Sequence, residues 1–138
     1  MDRQAQIEFL LDHYENPRHH GVLADPSLAQ SGMNPGCGDV VKLYLRLDED
    51  ERIVEVSFEG QGCTISQAGA SLLTELVTGL TLSEAAALDG ETLAEQLGRD
   101  IVLNRTACAT LGLNTLRVAA EKWRAGEGLT DTSVIVQF

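Results

Sequence analysis

"VVKLYLRLDEDERIVEVSFE", Val40 to Glu59, decides the fold class. In its first half Val41, Leu43, Leu45 and Leu47 fall on one side, with Lys42, Tyr44 and Arg46 on the other. That period of two is the mark of a half-buried strand. In the second half Val54, Val56 and Phe58 alternate with Glu55, Ser57 and Glu59. The acidic "DEDE" between them, Asp48 to Glu51, is short and polar. The stretch therefore predicts an antiparallel hairpin with one face turned to a core.

Helical periods flank this hairpin. Ile7, Leu10, Leu11 and Tyr14 stand at i, i+3, i+4 and i+7 and predict the apolar face of a first helix, which Asn16-Pro17 stops. A loop is expected from about Arg18 to Gly36, through Pro26 and the "SGMNPG" turn cluster. After "GQGC", Ile65, Leu72, Leu73 and Leu76 predict a helix ending near Gly79. "TLSE", Thr81 to Glu84, is a capping box opening a short helix through Leu88. "ETLAEQLG" predicts another, closed by Gly98. Leu113, Leu116, Ala120 and Trp123 define a last long helix that starts close to Cys108, with Trp123 in the core. The β-branched "TDTSVIVQF" is strand-like and suited to a sheet edge. The pattern predicts an α+β fold: a small antiparallel sheet of about three strands with helices packed on one face. A single domain is expected over residues 1–138, with a strand-like tail over 129–138.

Composition narrows the function. A chain of 138 residues suits one domain, and with aromatics at 4% the core must be mostly aliphatic. The net charge of -11 argues against nucleic acid and against an anionic membrane surface as partners. No apolar run approaches the roughly 20 residues that span a bilayer. The first residues lack the regions of a secretory signal, and three cysteines are an odd number, so no disulfide framework is expected. The expectation is a cytoplasmic protein whose cysteines are free thiols or metal ligands.

Those cysteines lie at 37, 63 and 108, each at a junction between elements. Cys37 sits in "NPGCGD" between two glycines, which leave its thiol unshielded, with Asp39 two residues on. The same stretch also reads as a plain tight turn. Cys63 and Cys108 fall near predicted helix N-termini, where backbone N–H groups favour a thiolate, and Arg105 adds positive charge beside Cys108. Alternatively both are small buried hydrophobes. If the junctions converge, three thiolates and the Asp39 carboxylate form a four-coordinate set for zinc or iron. The carboxylate would be its most exchangeable member.

Four segments in order, "DHYENPR" (Asp12–Arg18), "GMNPGCGD" (Gly32–Asp39), "GQGCTIS" (Gly60–Ser66) and "RTACATL" (Arg105–Leu111), resemble the IscU/SufU family. These are the U-type scaffolds of iron-sulfur cluster assembly, related to the N-terminal domain of NifU. The resemblance covers roughly Ile7 to Trp123 and implies a SufE/NifU-like fold. It implies a scaffold that accepts sulfur from a cysteine desulfurase (IscS/SufS-like) and holds a transient [2Fe-2S] cluster, or zinc or iron, on Cys37, Asp39, Cys63 and Cys108. Downstream partners would be apo iron-sulfur proteins or cluster carriers. The sulfur-accepting thiol is Cys108 by analogy with the IscU branch and Cys37 by analogy with the SufU branch. Catalysis in the strict sense would belong to the desulfurase, so the resemblance implies no enzyme.

The departures point both ways. Ala107 stands where IscU members carry a histidine, and the Leu-Pro-Pro-Val-Lys chaperone signal is absent from "IVLNRTAC". The third motif is SufU-like, yet the SufU insertion between the second and third cysteines is missing. "TSVIVQF" matches neither branch. Two rival readings follow: a zinc-dependent sulfurtransferase that relays persulfide and builds no cluster, and a structural zinc module. Of the histidines, His13 reads as a helix-end hydrogen-bonding residue, while His19 and His20 read as surface loop.

Overall fold

The computed structural model describes residues 2–34, 38–102, 106–126 and the strand residues 134–135. The order is α1 (Arg3–Glu15), β1 (Leu28–Asn34), β2 (Asp39–Leu47), β3 (Ile53–Gln61), α2 (Thr64–Val77), α3 (Leu82–Ala86), α4 (Gly90–Leu97), α5 (Arg99–Val102), α6 (Thr106–Ala109), α7 (Leu111–Arg124) and β4 (Val134–Ile135). The expected hairpin is β2–β3, paired antiparallel with Leu43 opposite Phe58 and Leu45 opposite Val56. The sheet runs β3-β2-β1-β4, with β1 antiparallel to β2 and β4 parallel to β1. Helices α2 and α7 pack on the face made by Val41, Leu43, Leu45, Val56 and Phe58, and the aliphatic core lies between. The fold is α+β, with three antiparallel strands and the short parallel β4.

Three local expectations need correction. The segment expected as loop from Arg18 to Gly36 contains β1, whose alternate residues Leu28, Gln30, Gly32 and Asn34 are buried. The period of two is present, but it is carried by an amide, a glycine and a second amide, which hydropathy does not register. In β3 the pairing steps from Arg46 opposite Glu55 to Leu47 opposite Ile53. The extra residue is Val54, and such a bulge reverses the phase. Ile53 is therefore buried, and Val54, expected inward, is 45% exposed. On α1 the buried residues are Leu10 and His13, while Leu11 faces solvent, as does Tyr14, for which the sequence leaves burial and exposure both open. The polar partners of α2 select that face.

The helix ends follow the local chemistry more closely. Thr81 accepts the Glu84 N–H and the Glu84 side chain accepts the Thr81 N–H, completing the capping box of α3. Gly98 closes α4 at a φ of 103°. Among the described residues the last helical region runs from Thr106 and breaks at Thr110, so Cys108 lies in α6 and the long helix is α7. Trp123 is only half-buried, and its Nε1 donates to Glu51 Oε2 at 2.9 Å.

Candidate metal centre

Asp39 opens β2 directly opposite Asn34 of β1. The Gly38 N–H donates to Asn34 O at 2.8 Å, and Gly38 has a φ of 72°, which a glycine adopts without strain. The Asp39 side chain points inward and is only 1% exposed. Cys63 follows β3 and is the N-cap of α2, but its own side chain makes no capping hydrogen bond. Asp39 does part of that work from a different strand. Its Oδ1 accepts the Cys63 N–H at 2.9 Å, and its Oδ2 lies 3.6 Å from Cys63 Sγ.

Cys108 reaches the same place from α6 and is 4% exposed. Two glycines permit the approach. A Cβ on Gly69 of α2 would lie 2.5 Å from Ala109 O, so only a bare backbone lets α6 pack this closely. A Cβ on Gly62 would lie 2.2 Å from Asp39 Oδ1, so a side chain there would push the carboxylate away. The result is a group in which ligand atoms of Asp39, Cys63 and Cys108 all lie within 4.8 Å of one another. Among the described residues it is the one such group.

Two thiols and a carboxylate suit zinc or ferrous iron, which take sulfur and oxygen donors together. Cys63 stands at the N-terminus of the 14-residue α2, the end at which a helix dipole attracts negative charge. The same argument, made from sequence for Cys108, does not carry over, because Cys108 lies next to the C-terminal residue of α6, Ala109. Cys37 and Arg105 lie outside the described residues. Sequence reading passed over Asn34, whose Nδ2 donates to Cys108 Sγ at 3.9 Å. Its signal was a polar residue at a buried strand position.

The histidines take no part in this group. His13 is 1% exposed between α1 and α2, with Nδ1 2.7 Å from Ser71 Oγ and Nε2 3.3 Å from Glu75 Oε1. Burial first, and then the Arg18 guanidinium, hold its pKa below the usual imidazole value. His19 lies 2.9 Å from Thr74 Oγ1. The backbone of His19 and Gly21 pairs with Phe58, so this segment lines the outer edge of β3 although His19 and His20 are exposed. A cavity of about 500 Å³ opens beside His20, between Val40, Lys42, Glu59, Gly60 and Gln61, and does not include the ligand group.

The family model described as the NifU-like N-terminal domain matches residues 6–129. An iron-sulfur cluster assembly scaffold protein IscU of Streptococcus pyogenes serotype M1 is 35% identical over 140 residues, spanning 89% of this chain and 87% of that protein. A zinc-dependent sulfurtransferase SufU of Bacillus subtilis is 44% identical over 82 residues, but this covers only 59% of this chain and 54% of that protein. Among solved structures, a SUF-system scaffold protein from Fervidobacterium islandicum AW-1 superposes with a TM-score of 0.69 at 32% identity, covering 86% of this chain and 99% of that one. Sequence motifs, sheet and ligand group converge on one conclusion: the chain belongs to the NifU-like N-terminal domain family of IscU and SufU proteins.

Proposed function

We propose that this protein is a scaffold for iron-sulfur cluster assembly, accepting sulfur from a cysteine desulfurase and holding a transient [2Fe-2S] cluster or a metal ion for transfer to apo-proteins. The observation that carries the reading is the convergence of Asp39, Cys63 and Cys108 within 4.8 Å. Cys37, two residues before Asp39, is the natural fourth donor. Iron and sulfide are cargo in this reading, and the chain's own task is to present thiolates, exclude water and let go.

Sulfur acceptance needs an accessible thiolate that attacks the outer sulfur of the desulfurase persulfide. One S–S bond forms as another breaks, and the desulfurase thiolate leaves. Cys108 is nearly sealed, which argues against it as the first acceptor. The Asp39 carboxylate, already engaged with the Cys63 N–H, is the donor best suited to exchange.

A second reading is a zinc-dependent sulfurtransferase that relays persulfide without building a cluster. The local likeness to SufU and the Ala107 in place of a histidine favour it. Anaerobic incubation with ferrous iron, cysteine, a desulfurase and a thiol reductant, which takes persulfide sulfur down to sulfide, separates the two. The scaffold reading expects a visible chromophore of a [2Fe-2S] cluster and its passage to an apo-ferredoxin. Sulfur uptake on the protein with no chromophore would overturn it in favour of the relay.

A further inference from the structure

Asn34 ends β1 on the face that turns Leu28 and Gly32 inward. An amide so placed must earn its burial through hydrogen bonds. Its backbone and its side chain serve different partners. The Asn34 carbonyl accepts the Gly38 N–H at 2.8 Å, bracketing residues 35–37. Its register partner across the sheet is Asp39. Its Nδ2 donates to Cys108 Sγ at 3.9 Å, across 74 residues of sequence. One residue thus joins the strand end before Cys37, the strand carrying Asp39 and the thiol of Cys108.

We propose that Asn34 is a positioning residue of the metal centre, and that its N–H···S hydrogen bond orients Cys108 Sγ toward Asp39 and Cys63 and tempers its charge. This rests on the metal-centre reading above. Thiolates and a carboxylate gathered on a divalent ion carry excess negative charge. A fixed N–H donor beside one sulfur offsets part of it, and hydrogen bonds to ionised groups are the stronger kind. A hydrogen-bonded sulfur holds its electrons more tightly, so charge transfer from sulfur to metal moves to higher energy. Partners of this outer kind are worth about ten- to a hundredfold in metal affinity.

The test titrates the apo-protein with cobalt(II) alone, without oxygen, comparing wild type with Asn34→Leu and Asn34→Asp. The second variant keeps the size of the side chain and loses the amide N–H. Wild type is expected to show a sulfur-to-cobalt charge-transfer band. Both variants should bind cobalt about ten- to a hundredfold more weakly, with the band at longer wavelength and an unchanged far-ultraviolet dichroism spectrum. A purely structural role for Asn34 would not move the band. Variants that match wild type in affinity and band position overturn the proposal and leave the centre standing. A wild type without the band overturns the centre itself. If neither variant folds, NMR of wild type loaded with NMR-active cadmium decides. The Asn34 side-chain amide protons should couple to the metal, and an uncoupled amide overturns the proposal.

Discussion

Helix α2 carries a buried polar cluster at each end, and the two are built on opposite principles. Toward its C-terminal half, Ser71 and Thr74 face His13, Arg18 and His19. Donors and acceptors alternate there. The Arg18 N–H donates to Ser71 Oγ at 2.8 Å, Ser71 Oγ lies 2.7 Å from His13 Nδ1, and Thr74 Oγ1 donates to Ser71 O at 2.7 Å. At its N-terminus, Asp39, Cys63 and Cys108 bring ligand atoms together at longer range, with Asp39 Oδ2 3.6 Å from Cys63 Sγ and all three within 4.8 Å of one another. A cluster of matched donors and acceptors satisfies itself and fastens α1 to α2. A cluster of converging sulfurs and a carboxylate, once ionised, calls for a cation. Sequence motifs mark both ends alike, and only the pairing of donors with acceptors tells fastening from binding.

That contrast is open to attack at each end. Cys63→Ser or Cys108→Ser should lower zinc affinity by more than the roughly 10- to 100-fold that outer-shell changes cost, because a thiolate ligand is itself removed. The metal-free variants should keep the wild-type dichroism spectrum, since the sheet and helices have their own aliphatic core. A random-coil spectrum for the metal-free protein would instead make the metal part of the fold, as in a structural zinc module.

His13→Ala should do the reverse. It opens a cavity between α1 and α2 and leaves Ser71 without its ring partner, a loss of about 2–4 kcal/mol by analogy with other large-to-small core changes. Denaturant unfolding measures this, and zinc affinity at the other end of α2 should stay within about twofold, as expected for separate clusters. A parallel fall in affinity would show the two ends of α2 to be coupled.

The smallest effect is on pH. His13 has its pKa depressed in the fold, so its contribution to stability is complete above the unfolded value near 6.5 and is lost as pH falls through the depressed folded value. Glu75 and Asp12 oppose the shift and Arg18 supports it, with burial the leading cause. A protonated ring would set a second N–H against Ser71 Oγ, which already accepts the Arg18 N–H. Stability should therefore fall by at most about 1.4 kcal/mol per pH unit over this window from this one group. The slope is read as the difference between wild type and His13→Leu, and equal pH profiles would remove His13 as its source.

Much of this was legible in the chain itself. The hairpin announced itself because alternation in Val41, Leu43 and Leu45 is a local property of one strand. The capping box at Thr81 and the stop at Gly98 are equally local, since they join residues a few positions apart. The order of the cysteine motifs sufficed for the family, because those motifs are read along the chain.

What the tertiary structure decided is everything that depends on who covers whom. Leu10 and His13 line the buried side of α1 because α2 offers Ser71 and Glu75 to that face, and no period in α1 alone prefers them to Leu11 and Tyr14. Gln30, Gly32 and Asn34 are strand residues because β2 supplies their register and α7 packs on β1. Val54 turns outward because a bulge against β2 reverses its phase. The contact between Asn34 and Cys108 spans 74 residues. Spacing along the chain carries no information about such a pair, since its separation is set by how closely Gly69 lets α6 approach α2.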